Sequence, residues 1–158
     1  SAPVPGAVDR SQPAAERARA IPPAERVMWE HAGALASLLA VPGRDQSEHL
    51  DGQVARSVHV NELAAAYATV TRSTSFPDGA LIVQRHHPLD RDSDARDTVL
   101  SQYVMRRTAA GWSFVVLDRD GRVAASDHRL CERCHADAPF EGIFGPARER
   151  APQVPASD

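Results

Sequence analysis

The chain has 158 residues, 42% apolar and 25% charged, with a formal charge of −3 and 18 basic residues that are all arginine. This balance belongs to a globular domain, excludes a disordered or collagenous chain, and lacks the basic footprint of a nucleic-acid binder. The longest apolar stretches, such as Ala34 to Val41, are broken by Gly33 and Pro42 and fall well short of a membrane span. One soluble domain acting on a small molecule or a redox partner is the expectation.

Residues 1–22 are rich in Pro, Ala and Arg without apolar periodicity, and residues 147–158 have the same character, so both read as tails around a domain at 23–146. The N-terminal stretch has no apolar core of a signal peptide, which leaves a cytosolic protein or one whose signal has been removed. In "PPAERVMWEHAGALASLLAVPG", prolines suited to a first helical turn precede Val27, Met28, Leu35, Leu38 and Leu39 near helical spacing, and Pro42-Gly43 stops the run. One amphipathic helix packing on the core is predicted there.

From residue 53 the pattern turns to short strands. "VARSVHV" alternates, "NELAAAYATV" reads as a short helix capped by Asn61, and "GALIVQRHH" resumes strand character after the turn "FPDG". "RDSDARD" has the composition of a solvated loop. "VLSQYVMRR" and "GWSFVVLDRDGRVAAS" follow, the latter a hairpin reversing at Asp118-Arg119-Asp120-Gly121. The expected class is α+β and β-dominant, an antiparallel sheet with flanking helices and no internal repeat.

The only two cysteines lie three apart in Cys131-Glu132-Arg133-Cys134-His135. A thioredoxin-like pair belongs after a strand in a βαβ context, and the surroundings here are antiparallel. A structural zinc site would recruit a fourth ligand from His128, His86 or His87. Covalent haem is the third reading: two thiols add across the two vinyl groups, and the adjacent imidazole becomes the proximal iron ligand, which requires all three on one short helical turn. The pairing of the only two cysteines in this arrangement favours haem c, one group attached through Cys131 and Cys134 with His135 on the iron. Attachment of this kind takes place outside the bacterial cytoplasm, so a periplasmic or secreted protein with its signal peptide removed is expected.

Beyond that motif the sequence resembles the β-sheet-rich cytochrome P-460 and cytochrome c′-β family of periplasmic mono-haem proteins, over roughly residues 22–146. Pro23 to Trp29 resembles the family's first helix, Arg56-Ser57-Val58-His59-Val60-Asn61 its first pocket strand, and Phe76-Pro77-Asp78-Gly79 through Val83 its second. Gly111-Trp112-Ser113-Phe114 and the Cys131 to His135 segment followed by Ile143-Phe144 complete the match. The resemblance implies a homodimer, formed through the N-terminal helix or a sheet edge. It also implies a lysine at the end of the "DGxxxV" strand that cross-links to the porphyrin in members oxidising hydroxylamine. Gln84 stands there, and the chain has no lysine at all. Gln102 stands about where the catalytic member carries a distal carboxylate, and an amide cannot take that proton. Both departures point to the non-cross-linked, gas-binding branch.

With Gln84 facing the haem, alternation puts Ile82 and His86 on the same face and sends Arg85 and His87 away. His86 is then either a sixth ligand or a histidine at the sheet edge in water, where Pro88 ends the strand. Arg56, inward with Val58 and Val60, matches the family's distal arginine and could donate to bound NO, a water or a propionate; an exposed ion pair is the alternative. If Gln102 faces inward, Met105 faces outward unless a bulge intervenes, and Met105 is a second potential sixth ligand or simply core. Phe76, Phe140 and Phe144 are expected to pack around the macrocycle and restrict the sixth position. His128 would bond a propionate or lie on the surface. The expected function is binding of NO or CO at an open distal site for sensing, buffering or detoxification. A six-coordinate electron carrier using His86 or Met105 is the alternative, followed by a nitrogen-oxidising haem oxidoreductase without the cross-link.

Overall fold

The alternating stretches at 54–60 and 81–88 become neighbouring antiparallel strands, and the other elements are arranged around them. A computed structural model describes residues 19–47, 49–89, 97–126 and 128–146. In chain order the strands are β1 (Arg19–Ala20), β2 (Leu39–Ala40), β3 (Asp45–Gln46), β4 (Val54–Val60), β5 (Leu81–Pro88), β6 (Ser101–Thr108), β7 (Gly111–Leu117) and β8 (Ala125–Ser126). They are followed by the helix α1 (Arg129–Ala136). The main sheet runs β2-β4-β5-β6-β7 with β3 also paired to β4, while β1 and β8 form a separate two-stranded ribbon. Every pairing is antiparallel, as expected for a β-dominant α+β fold.

Period-two alternation divides the sheet into two buried faces. On the inner face Val58, Val60, Ile82 and Met105 pack with Ala64, Tyr67, Val70, Phe76, Ala80 and Ile143. On the outer face Leu81, Val83, Val104 and Leu117 pack with Trp29, Leu35, Leu38, Val115 and Val123. Val83 and Leu117 have no exposed surface, and full burial of each such side chain contributes about 1.5–3 kcal/mol. Asn61 caps the 3-10 run Glu62–Thr69 by accepting from Ala64 N, and its amide donates to Gly79 O. That short helical run thereby closes the lower inner face. The expected reversal forms at Asp118, whose N–H bonds Arg122 O and whose carboxylate accepts from the N–H groups of Asp120 and Arg122.

The N-terminal amphipathic helix does not form. In its place are two 3-10 segments, Pro23–Glu25 and Ala32–Ser37, separated by an extended stretch. Trp29 N donates to Gly121 O and Val123 N donates to Val27 O, so this stretch is committed to the β7–β8 hairpin. Tertiary pairing overrides a local pattern whose three-residue spacings suit a 3-10 turn equally well. Arg19–Ala20, at the end of the stretch read as a tail, pairs with Ser126 and Ala125. Residues 1–18 and 147–158, and most of the "RDSDARD" loop, lie outside the described residues. Among the described residues, no helix is long and apolar enough to cross a membrane.

Candidate functional site

Cys131, Cys134 and His135 lie at i, i+3 and i+4 of α1, the spacing that puts three side chains on one helical face. Both thiols are free, Cys131 half-buried and Cys134 exposed. Burial raises the Cys131 thiol above its ordinary pKa, reinforced by Cys134 and Glu132 and opposed by its own backbone N–H, so it stays protonated near neutrality. Two soft sulfurs and an imidazole thus project from the same side of a single helix.

The His135 ring is oriented by the turn that follows. Phe140 and Ile143 pair across a two-residue reversal whose central residues, Glu141 and Gly142, have φ of 51° and 87°, the primed-turn conformation that favours glycine. Trp112 Nε1 donates to Glu141 O at 3.0 Å, and His135 Nδ1 sits 2.8 Å from Gly142 O. A carbonyl only accepts, so Nδ1 carries the proton and Nε2 presents a bare lone pair. Burial lowers the His135 pKa, with the Gly142 bond opposing, which keeps the ring neutral. Among the described residues Nε2 has no hydrogen-bond partner. Phe114 and Phe144 flank the ring at 5.0 and 5.1 Å between centroids.

On the inner sheet face Arg56 and the cross-strand row Gln84, Tyr103 and Val116 are only half-buried, whereas His86 beside them is fully buried. Register places Gln84 opposite Val58 and Tyr103, and His86 opposite Arg56. Arg56 is engaged with Asp45 through Nε to Oδ1 at 2.6 Å and Nη2 to Oδ2 at 3.0 Å, its side chain 17% exposed. Arg56 thus forms an ion pair that is partly buried rather than exposed. A cleft of about 320 Å3 opens beside this pair, lined also by Val41, Val58, Tyr67 and Pro146.

His86 is not an edge histidine in water: it is fully buried. Its Nε2 lies 2.7 Å from Gln84 Oε1, and its Nδ1 lies 3.0 Å from Ser101 Oγ. Burial, then the neighbouring His49, His87 and Arg56, lower its pKa to about 3, so the ring is neutral. His49 Nδ1 and Ser47 Oγ also reach Gln84 Oε1, at 2.6 and 3.0 Å. The rings of His49 and His86 both pack on Tyr103, with centroids 4.7 and 4.5 Å away.

Gln102 is not in this group. Pairing from Ser101 to Thr108 is regular, with no bulge, so Gln102 faces the outer side and Met105 the inner. Gln102 accepts from Arg85 Nε at 3.1 Å and donates to Asp118 O at 3.0 Å, beside an outer-face cleft of about 300 Å3. Met105 is buried in the lower inner core. His87 faces outward, its Nδ1 3.0 Å from Thr98 O and its Nε2 2.7 Å from Ser57 Oγ, which also meets His59 Nε2 at 2.9 Å. His86 and His87 are therefore on opposite faces, and no group of three or more His, Cys, Asp and Glu among the described residues could surround a metal ion, which leaves the zinc arrangement unformed.

Phe76 packs in the inner core against Trp112, Phe140 packs beside it, and Phe144 is 47% exposed. His128 stands at the N-cap position of α1, without a side-chain capping bond. Sequence reading missed Ser47, His49 and Tyr103. Only Tyr103 carried a signal, the two-residue offset from Met105 that places both on one face. No protein-family model matches the chain, and no curated protein matches it.

Proposed function

We propose that the chain is a mono-haem c-type cytochrome of the cytochrome P-460 and cytochrome c′-β type that binds a diatomic gas such as NO or CO at an open iron site. The single observation that carries the reading is His135, a neutral imidazole with its proton fixed on Nδ1 by Gly142 and its Nε2 lone pair bare, on one helical face with two free thiols. Metal-bound histidines are set in this way, the outer nitrogen donating to a carbonyl so that the inner one ligates. In this reading Cys131 and Cys134 form the thioethers and His135 is the proximal ligand.

The donor chemistry of these residues fits haem. When bound, held by Cys131, Cys134 and His135, the group would supply an iron able to take a diatomic ligand. The protein's part is to orient the imidazole, to wall it with Phe114 and Phe144, and to offer a half-open sheet face. An open sixth position is supported by the states of the two alternative ligands. Both His86 nitrogens are hydrogen-bonded, and Met105 is packed in the core. These observations weigh against the electron-carrier reading. The proposal includes a periplasmic location and a homodimer.

The test is the absorption spectrum of the holoprotein, oxidised and reduced, with and without NO or CO. A covalent haem with a high-spin ferrous spectrum that shifts with gas is the expected result. A low-spin ferrous spectrum indifferent to gas would sink the gas-binding reading and favour electron transfer.

A further inference from the structure

Gln84 has one end of its amide fully engaged and the other not. Three groups converge on Oε1: His49 Nδ1 at 2.6 Å, His86 Nε2 at 2.7 Å and Ser47 Oγ at 3.0 Å. In the structure the amide oxygen, not the nitrogen, faces the three groups, and its two lone pairs are shared among them. Ser47 Oγ already accepts from His49 N, so its own proton is available to donate to Gln84. His86 Nδ1 meets Ser101 Oγ, a hydroxyl that can donate to it while Nε2 donates to Gln84. With Oε1 inward, the two imidazoles can each donate to it at 2.6 and 2.7 Å, and the Ser47 hydroxyl shares the same oxygen at 3.0 Å. The amide nitrogen then points away from the cluster, has no partner among the described residues, and is not a buried atom.

The surroundings make this orientation rigid. His86 has no exposed surface and Ser47 is 1% exposed. His49 and His86 both pack against Tyr103 with their rings tilted by about 60°, and Tyr103 is directly opposite Gln84. Leu50, next to His49, has φ of 53°, a conformation that non-glycine residues adopt only when the fold imposes it. The turn that carries His49 is thus held under strain.

We propose, resting on the haem reading above, that Ser47, His49 and His86 are positioning residues that turn the Gln84 amide so that its N–H groups face the half-open inner sheet face, making Gln84 the donor that selects ligands with a partly negative outer atom. A bound diatomic whose outer atom gains electron density accepts such a bond. A fixed donor therefore retains NO more strongly than an apolar wall of the same shape would. The position that carries a cross-linking lysine in the resembled enzymes would here carry an aimed amide.

The test uses the reduced holoprotein and its Gln84→Leu, Gln84→Glu, His49→Phe and Ser47→Thr variants, after covalent haem has been confirmed by the alkaline pyridine spectrum. In the CO complex, Gln84→Leu should raise the carbon–oxygen stretching frequency, and it should speed NO release about fivefold, the loss of one hydrogen bond. Gln84→Glu should also lose the donor. His49→Phe should split the carbonyl band as the amide rotates, and Ser47→Thr, which keeps the hydroxyl, should leave the wild-type band in place. Nitrogen NMR of the CO complex should find protons on His49 Nδ1 and His86 Nε2; bare nitrogens at both positions would turn the amide around and overturn the proposal. An unmoved carbonyl band in haem-loaded Gln84→Leu overturns this inference alone, whereas a wild-type protein without covalent haem overturns the haem reading and this inference with it.

Discussion

His135 and Gly142 are joined through a 2.8 Å contact between the imidazole Nδ1 and a backbone carbonyl, made where the chain reverses seven residues beyond the histidine. The helix supplies the ring, but the turn chooses its tautomer and thereby which nitrogen keeps a lone pair free to ligate. Gly142 is held at φ of 87°, and a Cβ there would come 3.2 Å from Trp112 Cδ1. Gly142→Ala is expected to cost about 1–3 kcal/mol, read as a lower urea midpoint, and to broaden the spectrum of the iron site as His135 loosens. Unchanged stability and spectrum would show that the turn does not orient the ring.

Replacing the thiols tests attachment separately from folding. Neither is in a buried core cluster, so Cys131→Ser and Cys134→Ser are expected to change stability by less than about 0.5 kcal/mol in the haem-free chain. Each should lose one thioether, seen as a red shift of the reduced α-band. The double variant should release all haem into acidified organic solvent. Retention of haem by the double variant would remove the cysteines from the reading.

Acid should destabilise the fold in a defined window. The His86 pKa is lowered to about 3 and that of His59 to about 4, both chiefly by burial, from an ordinary value of 6.5. Between these values the unfolded chain binds protons that the native state excludes, so stability falls as pH drops below about 6.5 and continues to fall towards pH 3. Buried His86 alone should contribute a loss on the order of a few kcal/mol. Urea midpoints at pH 7 and pH 4.5 measure it, and His86→Gln should flatten the dependence. Equal midpoints at the two pH values would contradict the burial of this ring.

Gln102 and the inner cluster should behave oppositely. Gln102→Leu removes the acceptor of Arg85 Nε and the donor to Asp118 O on the outer face, at an expected cost of about 1–3 kcal/mol in unfolding free energy. Gas binding and the carbonyl band should not change, because the side chain is on the far side of the sheet. A spectral change equal to that of Gln84→Leu would place Gln102 in the site after all.

The Arg56–Asp45 pair can be isolated with a double-mutant cycle, Arg56→Gln against Asp45→Asn. With Arg56 17% and Asp45 39% exposed, a coupling of about 1 kcal/mol is expected, falling with added salt. Coupling indistinguishable from zero at low salt would mean that the guanidinium is not committed to Asp45 in solution.

Period-two alternation was enough to identify β4 and β5 and to divide their residues between faces, because a strand flips its side chains at every residue whatever surrounds it. Arg56, Val58, Ile82, Gln84 and His86 were legible in this way. The Cys131 to His135 spacing was legible because residues at i, i+3 and i+4 share one helical face. Alternation along a single strand does not say which face is buried. Cross-strand register, fixed by the β5–β6 and β6–β7 ladders, sent Gln102 outward and brought Tyr103 opposite Gln84. Long-range backbone pairing also broke the expected N-terminal helix, since Val27 and Trp29 bond to residues some ninety positions away. The Ser47–His49–Gln84–His86 cluster joins residues up to 39 apart in the chain. Only the tertiary structure could decide it, because a hydrogen bond depends on where the backbone places its two ends and leaves no pattern in the sequence between them.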